Sequence, residues 1–143
     1  MIINAEKLVL GRLASKAAKL ALKGEEVTIV NAEKAVVVGN KNTIIEKFKK
    51  RIDLSPKGNP RKGPKFPRTP DRILRRAIRG MLPYKKYRGK KAYRKVKVYI
   101  GIPEELKDKE KEFKTIEEAK YKSVKEALTL GELSKALGAK ERW

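Results

Sequence analysis

The sequence predicts an α/β fold, a sheet of parallel strands with helices covering its faces. Three observations lead to it. Short β-branched runs alternate with longer stretches of helical period over the first hundred residues. Asparagine or glycine closes these runs, as turn and cap chemistry requires. At 143 residues the chain also has the length of one ordinary domain with a real core.

Ile2-Ile3 is the first strand and ends at Asn4. Leu10, Leu13, Ala14, Ala17, Leu20 and Ala21 then recur at helical spacing, and Gly24 supplies a stop. Val27-Thr28-Ile29-Val30 is the second strand and ends at Asn31. Residues 2–7 and 29–34 echo one another, each a strand followed by an Asn-mediated turn. Ala35-Val36-Val37-Val38-Gly39 is a third strand. Thr43 and Glu46 have capping-box spacing, and Ile44, Ile45, Phe48 and Ile52 form the apolar stripe of the helix that follows. Residues 55–68 hold four prolines, two glycines and five basic residues. So little apolar surface cannot offset the entropy of ordering, and this segment is expected to order only against a partner.

Thr69-Pro70-Asp71 opens a third helix with a hydroxyl at the N-cap, proline at the first helical position and an acid in the first turn. Ile73, Leu74, Ala77, Ile78 and Met81 share one face of it. Arg72, Arg75, Arg76 and Arg79 share the other, within an arc of about 100°. Pro83 stops the helix. Residues 84–95 interleave Tyr84, Tyr87 and Tyr93 with seven basic residues. Those tyrosines either stack on unpaired bases or pack their rings on the domain with the hydroxyls in water. Val96, Val98 and Ile100 alternate as a further strand, closed by Gly101. Past Pro103, Thr115/Glu118, Ser123/Glu126 and Thr129/Glu132 each fit a capping box and predict two or three short helices, the last around Leu130, Leu133 and Leu137 and ending at Gly138.

Lys and Arg total 38 against 17 Asp and Glu, a net charge of +21 and a pI near 10.2. Residues 41–97 contain 22 basic and three acidic residues, so one segment carries +19 of that total. Self-repulsion on this scale opposes compaction unless a polyanion neutralises it, and nucleic acid is the natural polyanion because each neutralised phosphate releases condensed counterion. Several classes fall away. No apolar run approaches the roughly 18–20 residues of a membrane span, and residues 1–6 do not read as a secretory signal. Cysteine and histidine are both absent, which removes disulfides, thiolate metal sites and every Ser-His or Cys-His nucleophile. The expected class is a soluble, intracellular polyanion binder. Its 38% charged fraction also resembles chains adapted to high temperature.

Four motifs in register carry a resemblance over about residues 1–103. They are Gly11-Arg12-Leu13-Ala14-Ser15 after the first strand, Val30-Asn31-Ala32-Glu33-Lys34 closing the second, Arg79-Gly80-Met81-Leu82-Pro83 ending the arginine helix, and Val98-Tyr99-Ile100-Gly101-Ile102-Pro103. In this order they resemble the universal large-subunit ribosomal protein thirteen family. The Pro/Lys/Arg segment 55–68 and the capped segments after residue 115 resemble its archaeal and eukaryotic branch rather than the bacterial one. The resemblance implies a three-layer α/β/α domain around a four-stranded parallel sheet, carrying basic extensions and short C-terminal helices. It implies a structural role in the large subunit and its assembly, on large-subunit ribosomal RNA. Neighbouring ribosomal proteins are implied as partners, protein three among them, with no catalysis, cofactor or metal.

The expected organisation is therefore one domain over 1–143: an α/β core of 1–54 and 69–103, the basic extension 55–68, and a C-terminal helical segment 104–143. The expected RNA contacts are Arg72, Arg75, Arg76 and Arg79 from one helix. Two basic extensions, 47–68 and 84–97, are expected to thread between RNA segments. The first contributes Lys49, Lys50, Arg51, Lys57, Arg61, Lys62, Lys65 and Arg68, the second Lys85, Lys86, Arg88, Lys90, Lys91 and Arg94. Architectural DNA binding is the alternative, since charge alone does not distinguish the two polymers. A metal-dependent nuclease is disfavoured because Glu46, Asp53 and Asp71 are too scattered to hold two metals. A membrane surface or a small-molecule substrate is not expected, because the apolar face of the arginine helix lacks bulky aromatics and no nucleotide-binding glycine loop is present.

Overall fold

A computed structural model describes residues 1–108, 112–122 and 126–141. In chain order its elements are β1 (Ile2–Asn4), α1 (Leu10–Leu22), β2 (Val27–Val30), β3 (Val36–Val38), α2 (Lys41–Asp53), α3 (Pro70–Met81), α4 (Tyr87–Arg94), β4 (Val96–Val98), α5 (Glu104–Lys107), β5 (Ala127–Thr129) and α6 (Leu130–Ala136). Short 3-10 turns lie at Ala32–Lys34, Pro60–Lys62 and Glu117–Ala119. None of the described helices is long and apolar enough to cross a membrane.

Strands β1, β2 and β4 form a parallel sheet in that order, with Ile3 beside Ile29 and Ile29 beside Val98. The order runs one way across the sheet, so right-handed crossovers place α1 and the α3–α4 pair on the same face. There α1 packs against both α3 and α4. Ile3, Val27, Ile29 and Val96 are fully buried beneath them, with Leu13, Ala14, Ala17, Leu74 and Ile78. The small alanine side chains of α1 let it lie close to its neighbours, and Gly24, at φ 99°, takes the left-handed stop predicted for it. The two echoing turns meet: the Asn31 side-chain amide donates to Asn4 Oδ1 at 3.0 Å, and that oxygen also accepts from the Glu6 amide. Asn31 sits in the left-handed region at φ 55°, which asparagine tolerates.

The sheet departs from the four-stranded, three-layer expectation. Val36–Val38 leaves the parallel sheet and pairs antiparallel with Ala127–Thr129. Only five residues separate β2 from β3, too few for the crossover of a dozen or more that a parallel neighbour needs. A single parallel bridge from Lys114 to Ile3 extends the β1 edge instead. On the face of the sheet away from α1, α3 and α4, the row Ile2, Thr28 and Lys97 is half-buried to exposed.

Other expectations shift by a turn or a partner. Helix α2 is capped by Asn40, whose side chain accepts from the Asn42 and Thr43 amides; Glu46 pairs with Lys50 rather than closing a box on Thr43. Thr69 is the N-cap of α3 as predicted, but its hydroxyl makes no capping bond. Met81 is 45% exposed, not on the buried face. Residues 47–53 and 87–94 are helical rather than extended threads. Helix α4 turns Gly89 and Ala92 inward, and a Cβ on Gly89 would run into the Pro83 carbonyl, so only glycine lets the helix approach that turn. At the other end of the chain, the Thr129/Glu132 capping box forms and starts α6, with both reciprocal hydrogen bonds present. Thr115/Glu118 gives only the 3-10 turn, and Ser123 lies outside the described residues. Leu130 and Leu133 of α6 are fully buried in the same apolar cluster as Ile3 and Ile29.

Candidate nucleic-acid interface

Burial of Ile73, Leu74 and Ile78 fixes the rotation of α3 and turns its four arginines away from the sheet. Arg72, Arg75 and Arg79 are exposed and Arg76 is half-buried. Three of the four rest on aromatic rings. The Arg76 guanidinium lies 4.1 Å from the centre of Phe66, Arg75 lies 4.9 Å from that of Tyr93, and Arg79 lies 5.3 Å from that of Tyr84. Tyr84 and Tyr93 meet edge to face at 5.4 Å. Stacking steadies the plane of each fork without using its N–H donors, the ones that make bidentate contacts with phosphate, although Arg76 gives one of its own to the Lys65 carbonyl.

The remaining candidates surround this face. Lys49, Lys50 and Arg51 occupy the last turn and a half of α2, with Arg51 over its own Phe48 at 5.5 Å. Lys57, Arg61, Lys62, Lys65 and Arg68 lie on the segment before α3, with Arg61 and Lys62 in its 3-10 turn. Lys85 and Lys86 lie in the turn after α3, and Arg88, Lys90, Lys91 and Arg94 are on α4. All of these are exposed. Among the described residues one of the candidate cations, Lys50, forms an ion pair, at 2.8 Å from Glu46. That hydrogen bond and charge hold the Glu46 carboxyl below, and the Lys50 amine above, their ordinary values.

The tyrosines divide. Tyr84 and Tyr93 are engaged with arginines and with each other, whereas Tyr87 is 78% exposed. The Pro/Gly-rich segment, expected to order only on a partner, is tied to α3 at its end: Arg76 donates to the Lys65 carbonyl at 2.8 Å while stacking on Phe66. One phenylalanine supplies the anchor that the average composition of the segment conceals.

A second row of cations has no signature in the local charge balance. Arg12, Lys16, Lys19 and Lys23 are all exposed and follow one another at spacings of four, three and four. At 100° per residue they fall within about 60° on the side of α1 away from its buried alanines. Residues 1–40 are nearly balanced in charge, so only helical spacing reveals the row. Lys16 pairs with Glu118 at 2.8 Å; the hydrogen bond first, then the charge, hold that carboxyl below the usual carboxylate range.

The arrangement presents exposed cations over a broad surface, chemistry that suits anions; among the described residues no group of three or more carboxylates is placed to hold a metal ion. A family model described as Ribosomal protein L13 matches residues 1–105. The large ribosomal subunit protein uL13 of Methanosphaera stadtmanae is 51% identical over 140 residues, covering 97% of this chain and 97% of that protein. The protein of the same name from Methanocaldococcus jannaschii is also 51% identical, over 97% of this chain and 98% of its own length. That from Archaeoglobus fulgidus is 46% identical over 96% and 86%. With four motifs in register and half of all residues shared along nearly its whole length, the chain belongs to the ribosomal protein L13 family, on its archaeal side.

Proposed function

We propose that the chain is a structural, non-catalytic constituent of the large ribosomal subunit in the cytoplasm, where it binds and organises large-subunit ribosomal RNA in assembly and in translation. The observation that carries this reading is the surface of α3 and its surroundings: eighteen candidate cations, one ion pair among the described residues, and guanidinium groups braced on rings. A-form RNA hides its major groove from side chains, so these cations act on phosphates, 2′-hydroxyls and unpaired nucleotides.

In this reading the chain is one domain, supported by a single apolar cluster that runs from Ile3 to Leu137. Its RNA-binding residues are those named above, from Lys49 to Arg94. Protein three of the large subunit is the neighbour that the family resemblance supports. The more even charge of residues 104–141 supports a protein-facing side there.

Sedimentation with large subunits through a high-salt wash is the expected result, with binding to a structured ribosomal RNA fragment in preference to duplex DNA. Equal affinity for duplex DNA, or loss from subunits at moderate salt, would overturn the assignment.

A further inference from the structure

A cavity of about 290 Å³ opens between the start of α1, α2, α3 and the anchored end of the Pro/Gly-rich segment. Its apolar walls are Leu10, Phe48, Phe66, Ile73 and Ala77. Arg51 and Arg76, each stacked on one of the two phenylalanines, share the rest of the lining with Pro67 and Gly80, and no carboxylate is part of it. Two other grooves lack this combination. The one at the carboxyl ends of the strands balances Glu6, Glu33 and Glu132 against Lys7, Lys34 and Lys135. The one along α1 includes Glu118 beside its cations.

The geometry points to a site for a single unpaired nucleotide of RNA, its base among the apolar walls and its phosphate on Arg51 and Arg76. The volume lies just below the roughly 300–1,000 Å³ of small-molecule sites, which suits one planar ring system and not a larger ligand. The occupant must be flat and apolar on its faces to fill walls of Leu, Ile and Phe, and anionic to suit two guanidiniums that, among the described residues, have no carboxylate partner. Arginine and aromatic planes are the side chains on which extruded bases stack. The 2.8 Å bond from Arg76 to the Lys65 carbonyl holds the Phe66 wall in place before any ligand arrives. This inference rests on the RNA-binding reading and specifies one contact within it.

The test is methyl and amide NMR of the full chain, titrated with adenosine 5′-monophosphate and, separately, with inorganic phosphate. Adenosine monophosphate is expected to shift the Leu10, Ile73 and Ala77 signals, and phosphate alone is not. Ala77→Leu fills the cavity with another strong helix former and leaves every cation in place; it should weaken the nucleotide at least fivefold, the low end of what one stacked base contributes. Phe66→Ala should do the same. Identical shifts from nucleotide and phosphate would overturn the inference, as would a titration unchanged by Ala77→Leu. Tighter binding of N-acetyl-phenylalanine amide than of the nucleotide would assign the cavity to a neighbouring protein's side chain and overturn it too. The unaltered chain's sedimentation with large subunits separates the two levels: its loss sinks the ribosomal reading, whereas its persistence beside any of those NMR outcomes sinks this site alone.

Discussion

Replacing Arg72, Arg75 and Arg79 together by glutamine removes three exposed cations from α3 while sparing Arg76, which clamps the Phe66 segment. Glutamine is a good helix former, and losing three like charges offsets part of the lost cation–π contact, worth about 0.5–1 kcal/mol at exposed sites. The fold should therefore survive, with the unfolding midpoint little changed. Binding should not. Each neutralised phosphate contributes about 0.7–0.9 to the slope of log affinity against log salt, so three contacts account for roughly 2–2.7 of it. Between 50 and 200 mM salt the unaltered chain should thus lose about 20- to 40-fold more affinity than the variant. Fluorescence anisotropy with a structured ribosomal RNA fragment across that range measures both slopes. Parallel lines, with or without an offset, would mean these arginines do not sit on phosphates, and the reading of α3 would be wrong.

Three further outcomes follow from the fold. Gly89→Ala forces a Cβ into the Pro83 carbonyl and should cost about 1–3 kcal/mol in chemical denaturation; a neutral result would mean α4 does not approach that turn. Leu133→Ala empties a fully buried site in α6 and should cost about 2–5 kcal/mol, with a single cooperative transition retained; an unchanged midpoint would detach the C-terminal segment from the core. Without histidine, RNA affinity should be flat between pH 5.5 and 7.0. Acid acts lower down. The Glu118 carboxyl is depressed by Lys16, so its contribution is present above the ordinary carboxylate value and is lost as pH falls through the depressed one. The protection of the amides of residues 117–120, taken relative to their intrinsic exchange rate at each pH, should fall only below about pH 4.5, the ordinary value.

What the sequence discloses here is what neighbouring residues decide. The apolar period of α1, the proline start of α3, the glycine stop at Gly24 and the Thr129 box are local features, and each is found where the residues place it. Pairing between distant segments is not local. Nothing in Val36-Val37-Val38 announces Ala127–Thr129 as its partner, although the five-residue gap after β2 already forbids a parallel neighbour. Helix α4 hid behind its composition, because two inward positions, Gly89 and Ala92, suffice to dock it among cations. At the interface the arginine face of α3 was legible from spacing. The rings beneath it were not, since Phe66, Tyr84 and Tyr93 reach α3 from other parts of the chain. The cavity lined by Phe48 and Phe66 is a product of the same convergence.

The antiparallel pair of β3 with β5 fastens an early-made segment of the polypeptide to one synthesised long after it. Leu128, Leu130, Leu133 and Leu137 all lie within the shared interior, so a nascent chain that has emerged only as far as β4 still shows water the apolar ground they will cover. Completion of the fold must wait until synthesis has passed residue 137. Until then the most cationic stretch, already outside, has no finished scaffold to hold it, and premature capture by RNA competes with folding for the same molecule.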